Sequence, residues 1–403
     1  MSWSVSKLQG LRAEFVMIAR EPDVCVAEAC RQYNISRKTG YKWLHRHETD
    51  GLAGLADRSR RPHSSPLQVS GEVVVALVQL HVDHKSWGPK KLRARLPRVG
   101  IEPAQVPGVA TVARLCRRLG WTESKGRGRP RRELPSGQLS GAHKPNDVWT
   151  VDFKGWWWTR DGKRCEPLSV RDLYSRYILC LRPMAWRKTA AVKETFIEVF
   201  ERYGLPVVIR SDNGAPFASL TGPHGLTRLS AWWRSLGIRL ERIDPGHPEQ
   251  NGGHERMHRD IARDLQSHPA RTVDDEAQRL EQWRQVYNHE RPHEALGMKT
   301  PGELYLGSSR RMGTVRPYVY PSSYETRRVQ DDGCILVHSR HVRVSSALIG
   351  QEVGLEELSE TSWRVWFCDL PISELALAGH GIQHRRVTAN CNPCPDNKVS
   401  PMS

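Results

Sequence analysis

Asp152, Asp212 and Glu255 are the residues whose types and surroundings point to carboxylate chemistry. Asp152 lies in a strand-like run, on the face opposite Trp149, Val151 and Phe153, where an acid is costly to bury unless it binds something. Asp212 closes the run Val-Val-Ile-Arg-Ser-Asp just before an Asn213-Gly214 turn, at the kind of strand end where functional groups are presented. Glu255 enters a helix directly after the loop at 245–252. A strand, a strand end and a helix start can converge at one edge of a sheet. Three carboxylates there suit a pair of Mg²⁺ or Mn²⁺ ions, hard cations that prefer oxygen ligands and keep positions open for phosphate oxygens. Two such ions roughly 3.5–4 Å apart activate an attacking hydroxyl and stabilise the leaving oxygen of an in-line displacement, so phosphodiesters are the matching substrates. Taken singly, Glu255 is also what the dipole at a helix start favours.

The elements that position these acids read as a mixed α/β layer. Residues 147–158 mix large apolar and polar side chains in near alternation, an Asp161-Gly162 turn follows, and 163–170 and 177–181 complete an antiparallel meander. A helix at 189–203, a buried strand at 206–210, a helix at 230–236, a strand at 238–243 and helices at 253–266 and 275–289 then alternate, as in a sheet covered by helices. Beyond residue 306, strands at 318–320, 334–337, 341–344, 352–355 and 363–367 suffice for a small β-barrel, and 379–403 has too little apolar content to pack.

Upstream of the sheet the chain is helical and basic. Helices at 8–19, 24–33 and 36–47, the last opening on a Ser36 N-cap after a tight turn, have the form of a helix-turn-helix whose second helix can enter a DNA major groove. Its exposed residues are Arg37, Lys38, Tyr41 and Lys42. A second three-helix reader is expected from helices at 72–82, 87–96 and 109–119, the last carrying Arg114, Arg117 and Arg118. Both segments also suit plain helical bundles with a basic face. The run Lys-Gly-Arg-Gly-Arg-Pro-Arg-Arg at 125–132, including Arg127, Arg129 and Arg131, cannot be core; it fits a narrow minor groove or serves as a basic linker touching phosphates.

The whole-chain balance agrees. In 403 residues, 61 Lys and Arg against 44 Asp and Glu give a net charge of +17, which calls for a polyanionic partner. Hydrophobic residues at 38% support packed cores rather than a disordered chain, and no run reaches the length of a membrane span. The first residues lack the apolar core of a secretory signal, and nine scattered cysteines fit a reducing compartment, so a soluble cytoplasmic protein is expected.

Four strings carry a resemblance. Trp-Thr-Val-Asp-Phe-Lys-Gly at 149–155, Ser-Asp-Asn-Gly at 211–214, His-Pro-Glu-Gln-Asn-Gly-Gly-His-Glu-Arg at 247–256 and Tyr-Asn-His-Glu-Arg-Pro-His at 287–293 resemble the motifs of insertion-sequence transposases with a retroviral-integrase-type core. The resemblance implies an all-α helix-turn-helix domain at 1–60, a similar second one at 61–123, a basic linker at 124–140, an α/β ribonuclease-H-like core with a mixed sheet at 141–306, a small C-terminal β-barrel at 307–378 and a flexible tail at 379–403. It also implies that Asp152, Asp212 and Glu255 are the catalytic and metal-binding triad for two Mg²⁺ or Mn²⁺ ions, and that the enzyme cuts element ends and joins the freed 3′-hydroxyls to target DNA. The partners implied are terminal inverted repeats, target DNA and further copies of the chain, in a bacterial cytoplasm at the nucleoid. Membrane binding becomes the poorer reading of the charge.

Two departures from the family pattern bear on the site. Forty-two residues separate Asp212 from Glu255, more than the compact spacing of many members, and the excess is assigned to 221–228. Glu241 and Glu249 are closer rivals for the third ligand; Glu255 is preferred because Asn251 and Gly252 break the chain before it, while Arg256, His258 and Arg259 continue a helix whose basic side chains, Arg256 and Arg259 among them, can hold DNA phosphates. The zinc-binding His/His/Cys/Cys module of retroviral integrases has no counterpart at the N-terminus. His247, His254 and His258 flank the proposed third carboxylate and are expected as surface histidines near a DNA path, with a metal ligand or proton shuttle as the alternative; Trp156–Trp158 are expected in strand packing rather than as a base-stacking platform, and Cys391 and Cys394 lack a second ligand pair for zinc. The competing functions are a catalytically silent DNA-binding repressor and a nuclease that only hydrolyses.

Overall fold

The computed structural model describes residues 5–58, 68–121, 139–184, 188–244, 247–378 and 381–386, and these divide into two units, Met1–Val69 and Ser70–Ser403. Arg127, Arg129 and Arg131, and the pair Cys391 and Cys394, lie outside the described residues.

In the first unit, helices α1 (Val5–Ala19), α2 (Val26–Gln32) and α3 (Arg37–Asp50) close over Phe15, Val16, Ala29, Cys30, Trp43 and Leu55. The Ser36 hydroxyl accepts from the Thr39 amide at 3.2 Å, the N-cap expected from sequence. Gly40 lets α3 cross its neighbours, since a Cβ there would stand 2.4 Å from the Cys30 Sγ.

The second unit opens with α4 (Gly71–Asp83), α5 (Pro89–Arg95) and α6 (Val109–Arg118), packed through Leu77, Leu80, Leu92, Leu96 and Val112. This helical module is fastened to the sheet-bearing core: Lys90 pairs with Glu294, and Arg98 with Glu303 at 2.5 Å.

The core is a six-stranded mixed sheet. Its strands are β1 (Val148–Phe153), β2 (Trp157–Trp158), β3 (Arg164–Asp172), β4 (Ile178–Met184), β5 (Val208–Ser211) and β6 (Arg239–Arg242). β3 runs antiparallel to β1 and β4, while β1, β5 and β6 are parallel neighbours. The single strand expected at 147–158 is broken: between Phe153↔Leu168 and Trp157↔Cys165 the first arm carries one extra residue, a bulge that reverses the facing of the residues beyond it. Phe153 therefore joins Trp149, Val151 and Ile209 beneath α7 (Thr189–Tyr203) and α8 (Arg228–Ser235), whereas Trp157 joins the opposite face with Met257, Ile261 and Leu280. That face is covered by α9 (Gly252–Ile261) and α10 (Val273–Gln285), each of which finishes in a wider π-type turn, Ala262–Gln266 and Val286–Glu290. Of the tryptophans expected to pack, Trp157 does, while Trp156 and Trp158 are exposed and meet edge to face at 5.3 Å.

The C-terminal strands are β7 (Glu325–Arg328), β8 (Cys334–Val337), β9 (Arg340–Arg343), β10 (Glu352–Ser359), β11 (Ser362–Phe367), β12 (Leu370–Ala378) and β13 (Gly381–Arg386). They form an antiparallel sheet in the order β13-β12-β11-β10-β7 beside the hairpin β8-β9; hydrogen bonding among the described residues does not close it into a barrel. The chain at 318–320 is no strand: Tyr320 packs its ring on Gly354 and its hydroxyl donates to the Glu352 carbonyl at 3.0 Å, a side-chain substitute for strand pairing. Pairing continues past residue 378 through β13, because its backbone completes the edge of β12 even with little apolar content. The excess segment at 221–228 reaches this sheet: Leu226 enters its core, and His224 contacts the Pro371 carbonyl at 2.5 Å. Among the described residues, no helix is long and apolar enough to cross a membrane.

Candidate active site

The parallel register of β1 and β5 pairs Val148 with Val208 and Thr150 with Arg210. Carried two residues past the last paired positions, that register leads from Asp152, inside β1, toward Asp212. Asp212 stands one residue beyond β5, where its Oδ1 accepts from the Gly214 amide at 3.2 Å; a Cβ on Gly214 would sit 3.1 Å from Oδ2. The Asn213 amide donates to the Ile243 carbonyl at 2.7 Å and ties this turn to the end of β6.

Helix α9 lies over that face because its sheet-facing stripe, His254, Met257, His258 and Ile261, repeats at helical spacing. His254 is fully buried, with Nε2 2.7 Å from the Thr150 hydroxyl and Nδ1 3.1 Å from the Ser169 hydroxyl. His258 places Nε2 3.1 Å from the same Ser169 oxygen. The Ser169 hydroxyl itself donates to the Asp152 carbonyl at 2.9 Å. Its only proton being used there, both imidazole nitrogens that face Ser169 must be donors. A neutral His254 accepts through Nε2 from the Thr150 hydroxyl, whose alternative acceptor is the Arg171 carbonyl at 3.3 Å, and a neutral His258 carries its Nδ1 lone pair 3.9 Å from an Asp152 carboxylate oxygen. Burial, then the Lys154 and Arg171 charges, push the His258 pKa down to about 3. Burial followed by Arg171 and His258 lowers that of His254 well below the ordinary range. Both rings are neutral, so the approach of His258 to Asp152 is no salt bridge.

The expectation that these histidines lie on the surface is thus corrected for His254 and His258. Helical spacing sets them beside Met257 and Ile261 on the buried stripe, and that spacing was the signal in the sequence that could have found them. Asp152, His254 and His258 bring ligand atoms within 4.8 Å of one another. Because both His254 nitrogens are committed to hydroxyls, Asp152 and His258 Nδ1 are the members able to turn toward a cation.

Glu255 follows His254 in the first turn of α9 and is exposed, as are Arg256 and Arg259. The rival Glu241 is already engaged: its carboxylate accepts from Arg210 at 3.0 Å and from the Ser140 amide at 3.2 Å. Glu249 lies in the short turn Pro248–Asn251 ahead of α9. Of the other sequence-selected residues, Arg37, Lys38, Tyr41 and Lys42 are exposed along α3, and Arg114, Arg117 and Arg118 along α6. The carboxylate oxygens of Asp152 and Asp212 are donors of the kind a hard divalent cation takes.

Comparison with known proteins separates a helical N-terminal part from the sheet-bearing core, with one match running across the boundary of the two units. An integrase core domain model matches residues 142–248 and a second one residues 236–301, while homeodomain-like domain models match 9–56 and 39–116. A 31.7 kDa protein of insertion element IS407 from Burkholderia multivorans is 27% identical over 259 residues, covering 63% of this chain and 87% of that protein. A 39.2 kDa protein of insertion element IS476 from Xanthomonas euvesicatoria is 26% identical over 261 residues, covering 63% of this chain and 70% of that protein. Among solved structures, the HTLV-2 integrase catalytic core domain in complex with magnesium aligns with a TM-score of 0.30 at 15% identity, over 41% of this chain and all of that one.

Proposed function

We propose that this chain, an insertion-sequence transposase with a retroviral-integrase-type core, binds the terminal inverted repeats of its element, cuts the DNA at their ends and joins the freed 3′-hydroxyls to target DNA. The observation that supports the reading is the parallel register of β1 and β5, strands that carry Asp152 and lead directly into Asp212, on a sheet covered by the helix that bears Glu255. Asp152, Asp212 and Glu255 would hold two Mg²⁺ or Mn²⁺ ions, which when bound supply a hydroxyl nucleophile and charge stabilisation of the leaving oxygen. Ser169 and the neutral pair His254 and His258 hold α9, the helix that carries Glu255, on the strands beside Asp152. Arg256 and Arg259 on α9 hold DNA phosphates beside that site, and the exposed residues of α3 and α6 address the duplex. Two DNA ends processed together call for at least two copies of the chain.

Replacing Asp152 with Asn removes a charge with little change in size. Cleavage and joining in Mg²⁺ should fall below detection, Mn²⁺ binding by calorimetry should weaken at least tenfold, and binding to terminal-repeat duplex should stay within about twofold. Activity that survived this change would remove Asp152 from the triad, and cleaved but never joined products from the parent protein would leave a nuclease.

A further inference from the structure

The motif Tyr-Asn-His-Glu-Arg-Pro-His at 287–293 contributes no carboxylate to the proposed catalytic site, yet it surrounds an unusual set of cations. Arg171 on β3 is 4% exposed and reaches the Tyr287 hydroxyl, but its Nε has no hydrogen-bond partner among the described residues. Arg291, 6% exposed, lies over the Tyr287 ring at 5.5 Å and pairs with Asp260 of α9; its Nε is also unpartnered. His293, 8% exposed, packs edge to face on Tyr287 at 4.7 Å with Nε2 unpartnered. Lys91, from the first turn of α5, is half-buried beside Arg291 and Arg256, and Arg176 closes the group from the β3–β4 turn with φ +66°, a conformation non-glycine residues seldom hold.

The nearby carboxylates, Asp260, Asp172 and Glu294, are fewer than the cations and are already hydrogen-bonded or ion-paired. Asp260 is shared between Arg291 and Arg263, and Asp172 accepts from the Asn146 amide and from Ser175. Guanidinium groups stay charged in proteins, so buried donors left unpaired among like charges carry a large penalty unless an anion completes them. Burial and the neighbouring Arg291 lower the Lys91 pKa to about 8, the response of an ammonium in surroundings of excess positive charge.

We propose that Lys91, Arg171, Arg176, Arg291 and His293 form an anion pocket that takes a backbone phosphate of the DNA, jointly built by the second helical module and the core. The pocket lies along α9, since Arg171 packs against Gly253 and Arg291 clamps Asp260, so a phosphate held there fixes the duplex relative to the helix that carries Glu255. The assignment rests on the DNA-processing reading above and gives the 287–293 motif its role.

The test is duplex binding by the full chain in EDTA, with a fluorescein-labelled 30-base-pair DNA followed by anisotropy across salt concentrations. Lys91→Ala and Arg176→Ala should each weaken binding about five- to tenfold at 0.1 M salt, on any sequence, and lower the slope of log affinity against log salt by about 0.9, one phosphate. Lys91→Arg should restore the slope, and melting of each variant near the parental temperature separates lost contact from lost fold. Unchanged slopes in both alanine variants overturn the pocket. Tight stabilisation of the parent by inorganic phosphate, lost in Lys91→Ala while duplex binding is unaffected, overturns DNA as the source of the anion. If the parent itself shows no salt-dependent duplex binding, the DNA-processing reading fails, and the pocket's DNA role with it.

Discussion

Gly253 leaves no room for a side chain between helix α9 and the buried Arg171 guanidinium. An alanine Cβ there would stand 2.0 Å from Arg171 Nη2 and 2.7 Å from its Cζ. Helix propensity alone favours Gly253→Ala by about 1 kcal/mol. Arg171 is buried and bound to Tyr287, so it cannot swing away, and the overlap must instead lift the start of α9. Overpacking of this kind costs about 1–3 kcal/mol, which outweighs the propensity gain. Gly253→Ala should therefore lower the melting temperature by a few degrees and reduce strand cleavage far more than duplex binding; a stabilised, fully active variant would show that Arg171 yields freely. At this scale the sequence singles out the acids as candidates, while the side chains that support Asp152 were not legible in it. Asp152 is visible because an acid alternating with Trp149, Val151 and Phe153 has no other reason to be there. The hydroxyls of Thr150 and Ser169 lie 19 residues apart in the chain, and only the antiparallel register makes them partners of one histidine.

Helix α9 is held in place by imidazoles in their neutral form, and this gives it a dependence on acid. The folded pKa values are about 3 for His258 and about 2 for His293, both depressed first by burial, against an ordinary value of 6.5. The unfolded chain therefore takes up protons that the folded chain refuses once the pH falls below about 6.5. Stability is fully present above that pH and is lost progressively toward pH 3. Thermal melts at intervals between pH 7.5 and 4.5 should show a continuous fall, and His293→Gln, which cannot protonate, should show a shallower one from a lower starting point. Equal slopes in the two proteins would mean that His293 charges without cost. The elements themselves follow from pattern where one face is apolar: α7 runs over 189–203 as its periodicity predicts, and Ser36 caps α3. They depart from it where backbone geometry changes inside a run that the pattern reads as continuous. Periodicity predicts helices running through 253–266 and 275–289, but each passes into a π-type turn, and a bulge in the stretch holding Lys154 and Gly155, types depleted in strands, splits the strand expected at 147–158. Tyr320 likewise has strand-like composition and uses its hydroxyl instead.

The net charge of +17 divides unevenly over the molecule, and the division separates two kinds of contact. In the unit Met1–Val69, Arg37, Lys38, Tyr41 and Lys42 project from one capped helix, the arrangement by which a helix-turn-helix reads base edges. In the unit Ser70–Ser403, the cations of the proposed pocket and the basic side chains of α9 are charges suited to holding a backbone rather than reading it. Phosphate contacts are blind to sequence, whereas a bidentate contact to a base is worth about 1–3 kcal/mol of discrimination. The double change Arg37→Ala and Lys38→Ala should therefore reduce the ratio of terminal-repeat to unrelated duplex affinity at least tenfold, while unrelated duplex binding falls by much less. The Lys91→Ala change should weaken both duplexes alike and leave the ratio intact. Measured side by side at fixed salt, the two variants locate specificity and grip in different parts of the chain. A preserved ratio in the α3 variant would move recognition to the arginines of α6, whose exposed Arg114, Arg117 and Arg118 are then the next residues to change.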